Sequence, residues 1–150
     1  MQTTILEQPA LRLISAKAAT FPEGTKDAFA SIESRLSTLR GRRMYGLVFS
    51  TEDGLEYHAG LVPESESEEE QFGFPIIEIP AGLCVRTKLL DWSEKTDQIG
   101  PLIGQMIAQF GIDLSRPTME YYRSQRELHL LVPIAQGLND NSRQGTSNWK

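Results

Sequence analysis

The sequence predicts an α+β fold in which two β-α-β-β units build one curved antiparallel sheet, with a helix from each packed against it and a central cleft. Three observations lead there. LEYHAGLVPES at 55–65 returns as RELHLLVPIAQ at 126–136; with one inserted residue, Glu56, His58, Leu61, Val62 and Pro63 fall on Glu127, His129, Leu131, Val132 and Pro133. Each echo is preceded by another strand-like run and an amphipathic helical stretch. Finally, 150 residues and 16.8 kDa make one domain, whereas a unit of one helix and a few strands cannot bury its own apolar face. The two units should therefore close one core about a pseudo-twofold axis.

Taken in order, LRLISAKAAT (11–20) reads as extended and ends at a Pro-Glu-Gly break. Residues 26–39 place Phe29, Ile32, Leu36 and Leu39 three or four apart, one apolar helical face. Gly41 stands where a left-handed cap would end that helix. MYGLVFS (44–50) and EYHAGLV (56–62) are two strands joined at Asp53-Gly54. ESESEEE (64–70) reads as an exposed, mobile connection because of its charge.

The second unit opens with PIIEIPAGLCVRTKL, an extended run broken by Pro80 and Gly82. ISAKA at 14–18 echoes IPAGL at 79–83. Ser93 or Thr96 can cap a helix whose apolar positions are Ile99, Leu102, Ile103, Met106, Ile107 and Phe110, with Pro101 near its first turn and Gly111 at its end. TMEYYRS (118–124) and ELHLLVPI (127–134) are the last strands. The organisation expected is a single domain over 1–137, with repeat one about 11–63, an acidic linker at 64–72 and repeat two about 74–135. A flexible polar tail, 138–150, follows.

A net charge of −5 argues against general nucleic-acid binding. Arg40, Arg42 and Arg43 form a short basic cluster, expected as a solvated helix end. No apolar run approaches the roughly 20 residues of a membrane span, and the N-terminus has no signal-peptide pattern. The lone Cys84 fits a reducing cytoplasm. No phosphate-binding, dinucleotide-binding or nucleophile-elbow motif is present. No cofactor is expected, and His58 with His129 lack the further ligands of a metal site.

The most informative stretch is PTMEYYRSQRELHLLVPI. Alternation puts Thr118, Glu120 and Tyr122 on one face of a strand and Met119 and Tyr121 on the other. A mid-strand carboxylate among aromatics needs a partner, because uncompensated burial costs several kcal/mol. That partner is an internal arginine, Arg86 or Arg123, or else a cationic or hydrogen-bond-donating ligand in a pocket with the carboxylate at its floor. If Glu127 lies near Glu120, the two carboxylates raise one another's proton affinity and can serve as acid and base. Setting Met44 against Met119 makes Tyr45 the counterpart of Glu120, and Trp92 and Tyr122 are further candidate walls. An aromatic box with one acid suits planar cations.

The paired units, IPAG opening the second, and P-x-x-E-x-Y followed by an apolar strand closing on VPI resemble the GyrI-like small-molecule-binding domain. The same fold serves as the effector-binding domain of AraC-type and MerR-type bacterial regulators. The likeness covers about residues 11–135. It implies a cleft lined by aromatics, with Glu120 as the buried glutamate that meets cationic, drug-like ligands, Tyr122 as the tyrosine two residues on, and Glu127 as a second acid. With no DNA-binding segment left over, the chain resembles the stand-alone members. The expected function is a cytoplasmic binding protein for hydrophobic or cationic small molecules, with Glu120, Tyr122, Tyr45, Trp92 and Glu127 at the site. The alternatives are a hydrolase of reactive toxic small molecules using Glu120 and Glu127, and a protein acting on DNA gyrase or a regulator.

Overall fold

The computed structural model describes residues 1–136, and the tail expected at 138–150 lies outside them. Eight strands form one curled antiparallel sheet: β1 (Thr4–Gln8), β2 (Leu11–Lys17), β3 (Met44–Thr51), β4 (Gly54–Leu61), β5 (Ile76–Ile79), β6 (Gly82–Leu90), β7 (Thr118–Tyr122) and β8 (Glu127–Pro133). Their order across the sheet is β1-β6-β8-β7-β3-β4-β2-β5. Exchanging β1–β4 for β5–β8 reverses that order into itself, so the pseudo-twofold axis runs between β3 and β7. This is the α+β fold with a curved sheet that the sequence predicts.

The repeat carries one strand more than expected. Each unit begins with a short strand that pairs with the other unit: β1 adds to β6 and β5 adds to β2. The run PIIEIPAGLCVRTKL is therefore two strands separated by Pro80-Ala81, and its counterpart in the first half is the turn at Pro9-Ala10. The ISAKA–IPAGL echo was a misalignment, because the shared dipeptide is Pro-Ala at a turn. The register equates Glu56 with Glu127 and His58 with His129, as expected, but matches Leu61 to Val132 with no insertion. The hairpins differ instead: twelve residues lie between paired Gly46 and Ala59, against nine between Glu120 and Leu130. As a result, Gly46, not Tyr45, is the counterpart of Glu120.

Helix α1 (Thr25–Glu33) and helix α3 (Thr96–Phe110) lie on one face of the sheet. Ile32, Ala28, Ile14, Tyr57 and Leu61 form the core under α1, and Met106, Val85, Leu128, Leu130 and Val132 the core under α3. A third cluster, including Leu13, Tyr45, Leu47, Met119 and Leu131, occupies the opposite face. α1 is shorter than the apolar periodicity suggests. Ser31 and Ser34 donate to the Asp27 and Ser31 carbonyls, a local bonding that competes with helix continuation. Leu36 and Leu39 thus fall in the connection, and Gly41 takes its left-handed φ of 75° there, away from the helix end. In α3, Thr96 is the first helical residue and Ser93 sits in a preceding single 3₁₀ turn, so neither caps it. Pro101 falls in the second turn.

The acidic segment is a helix, α2 (Glu66–Phe72), where a mobile connection was expected. Ser65 accepts from the Glu68 amide, three glutamates occupy the positive end of the helix dipole, and Gly73 closes it at φ 71°. Arginines distant in sequence hold it down. Arg42 grips Glu68 through two nitrogens at 3.0 and 2.6 Å, and Arg12 grips Glu69 at 2.9 Å. Arg42 is correspondingly buried (side chain 7% exposed), not a solvated helix end.

Candidate functional site

α1 and α3 stand apart over the centre of the sheet, leaving a cavity of about 1140 Å³ between them. Its floor is the junction of β3 and β7, where Gly46 pairs with Glu120. One unit supplies the carboxylate at the axis and the other supplies no side chain. A Cβ at Gly46 would sit 2.0 Å from the Tyr57 hydroxyl and 2.7 Å from Glu120 Oε1. The glycine therefore makes room for the glutamate and its tyrosines.

Glu120 is 8% exposed. Its Oε1 accepts from the hydroxyls of Tyr57 and Tyr122, each at 2.8 Å. Burial foremost, and then the neighbouring Glu120 charge, raises the pKa of both phenols well above the ordinary tyrosine value. Both stay protonated as donors. No ion pair among the described residues includes Glu120. Arg86 and Arg123, the arginines expected as partners, line a separate recess on the other face of the sheet.

Aromatic rings surround the carboxylate. Phe21 stacks on Tyr57 at 5.2 Å between centroids, and Phe29 meets Tyr122 edge-on at 5.4 Å. Trp92 packs against Tyr122 at 5.1 Å and is oriented by its indole N–H, which donates to the Ser124 carbonyl. From α3, Ile99, Ile103 and Ile107 form an apolar wall, and Gly100 and Gly104 leave it open. Leu39, Leu55 and Leu114 line the cavity while remaining exposed, giving it an apolar rim.

Of the five residues singled out in the sequence, Glu120, Tyr122 and Trp92 come together here. Tyr45 and Glu127 do not. Tyr45 pairs with Tyr121 and stacks on its ring at 4.8 Å, on the face opposite Glu120. The one-residue error in matching β3 to β7 sent it to the wrong side. Glu127 shares its face with His129, which pairs with Tyr121, whereas Glu120 pairs with Leu130. The two carboxylates thus lie on opposite faces and cannot act together on one substrate. Glu127 instead receives a hydrogen bond from His129, which lowers its pKa. His58 meets Glu56 in the same way at 3.4 Å. Phe21, Phe29 and Tyr57 escaped the sequence reading. Phe29 enters the sequence pattern only as part of an apolar helical face, and Tyr57 only as a residue of the strand EYHAGLV. Tyr57 was in fact legible through strand parity, since it alternates with His58 as Tyr122 does with Tyr121.

No family pattern matches the chain, and no curated protein does either. Solved structures do. The structure of SAV2435 bound to tetraphenylphosphonium is similar over 96% of this chain and 100% of its own, with a TM-score of 0.64 and 13% identity. An integron cassette protein from the mobile metagenome of Vibrio cholerae matches at a TM-score of 0.63 and 10% identity, over 89% of this chain and 95% of its own. The C-terminal domain of EcmrR matches at 0.57 and 11% identity, over 90% and 98%. The shared property is the fold, which is consistent with the GyrI-like architecture.

Proposed function

We propose that this chain binds hydrophobic, cationic, multi-ring small molecules in the cavity above Glu120. One observation carries the reading. A carboxylate buried at the floor of a large aromatic cavity is held by two neutral phenols and, among the described residues, by no cation. Two hydrogen bonds from phenols hold and aim the carboxylate, and in this poorly solvated site a cationic ligand is the partner it lacks. A delocalised cation gains from that charge and from the faces of Tyr57, Trp92, Phe21 and Tyr122. The volume of about 1140 Å³ slightly exceeds the usual range of small-molecule sites, about 300–1,000 Å³, which favours ligands of several rings. Tetraphenylphosphonium, the molecule bound by SAV2435, is a cation of this class. The proposed compartment is the cytoplasm; Cys84 is a buried free thiol, and among the described residues no helix is long and apolar enough to cross a membrane.

Isothermal titration of the wild type and Glu120→Gln with tetraphenylphosphonium and neutral triphenylphosphine oxide tests this. Glutamine retains an oxygen for both phenols and removes only the charge. Micromolar affinity for the cation, about −8 kcal/mol, is expected in the wild type. The variant should lose about tenfold or more for the cation and little for the neutral compound. Equal weakening of both ligands would refute the role of the charge.

A further inference from the structure

The face of the sheet away from the helices carries a second recess, of about 390 Å³, beside the turn between β1 and β2. Arg43, Arg86 and Arg123 line it together with Tyr45, Tyr121 and Leu131. Most other arginines among the described residues meet carboxylates: Arg12 with Glu69 and Glu78, Arg42 with Glu64 and Glu68, Arg116 with Asp113, and Arg126 with Asp91. None of the ion pairs among the described residues includes Arg43, Arg86 or Arg123. The acid on the same face of β8, Glu127, is hydrogen-bonded to His129.

Arg43 is held in place without being neutralised. Its Nη2 donates to the Tyr45 hydroxyl at 3.1 Å, and its guanidinium carbon sits 5.5 Å over the Tyr121 ring, itself stacked on Tyr45. The symmetry of the fold does not demand these charges. By the sheet register, the counterparts of Arg43, Arg86 and Arg123 in the other unit are Pro117, Ser15 and Phe49. Three guanidiniums that no ion pair among the described residues includes thus gather at one end of the β3–β7 pair, around a two-ring tyrosine platform.

We infer that this recess is a second ligand site, for a small organic anion: a carboxylate or phosphate monoester on a flat apolar body. The planar forks of Arg86 and Arg123 match either oxyanion, and Tyr45, Tyr121 and Leu131 receive the body. Its charge preference is opposite to that of the Glu120 cavity, and the sheet separates the two.

The test is titration of the full chain with naphthoate, naphthyl phosphate and neutral naphthalenemethanol, followed by calorimetry and by amide chemical shifts. At least one of the anions should bind with a sub-millimolar Kd, and the alcohol about tenfold or more weakly. A response to naphthoate alone or to the phosphate alone identifies the oxyanion the site takes. Shifts should gather at Tyr45 and Tyr121. Replacing both arginines (Arg86→Gln with Arg123→Gln) should weaken the anion about tenfold or more while the melting midpoint stays put, and Glu120→Gln should leave anion binding unchanged. Equal affinity for alcohol and anions, undiminished binding in the double variant, or shifts confined to Phe29 and Ile103 would overturn the inference.

Discussion

Glu120 is where the chemistry of a few atoms decides what the molecule can do. Its carboxylate is tolerable in the interior only because Tyr57 and Tyr122 both donate to it. Tyr57→Phe removes one donor and leaves the other, so it should destabilise the fold by about 1.5–3 kcal/mol, the range for a hydrogen bond to a charged group. Equilibrium urea unfolding measures the difference. Gly46→Ala tests the same point from across the strand pair. Its Cβ cannot be accommodated unless Tyr57 and Glu120 move, and overpacking of that kind costs about 1–3 kcal/mol. Tetraphenylphosphonium binding should fall with it, whereas an alanine variant with wild-type stability and affinity would mean the floor is softer than its geometry implies.

At the scale of elements, α2 shows how a stretch that looks disordered by composition becomes ordered by its partners. Five glutamates among residues 64–70 repel one another unless cations arrive from elsewhere. Here Arg42 and Arg12 come from the loop before β3 and from β2. Arg42 holds the Glu68 pKa below its ordinary value of 4.5. Such a group stabilises the fold fully above its unfolded pKa, and the contribution is lost as pH falls through the lowered folded value. Stability should therefore decline below about pH 4.5, and Glu68→Gln should flatten that limb while lowering stability at neutral pH. Thermal melts of both proteins between pH 3 and 7 would show it. Parallel curves at every pH would mean the pair is solvated in solution.

For the whole molecule, the exchanged strands β1 and β5 matter most. Each half lends its first strand to the edge of the other, so neither unit completes its own sheet. Fragments 1–63 and 74–136 made separately should be unfolded by circular dichroism, and mixing them should restore strand signal. Stable folding of either fragment alone would show that the halves do not need one another. Deleting residues 1–8 should also lower the melting midpoint of the full chain, because it bares the β6 edge and the buried Cys84 beside it.

The sequence by itself determined the duplication, the fold class, the central strands and the singular Glu120, because apolar periodicity and strand alternation are local properties that neighbouring residues report. His58 and His129 marked equivalent positions, and PTMEYY put the carboxylate and Tyr122 on one face. The tertiary structure alone decided the register across the axis. A three-residue difference in hairpin length is invisible in two degenerate echoes, and one residue of slip moves a side chain through the sheet. That slip moves Tyr45 away from the cavity and sets Gly46 beside Glu120, while the pairing of β7 with β8 turns Glu127 to the other face. Long-range partners likewise turned the acidic linker into a helix, and the gap between two helices, a property of neither alone, made the cavity.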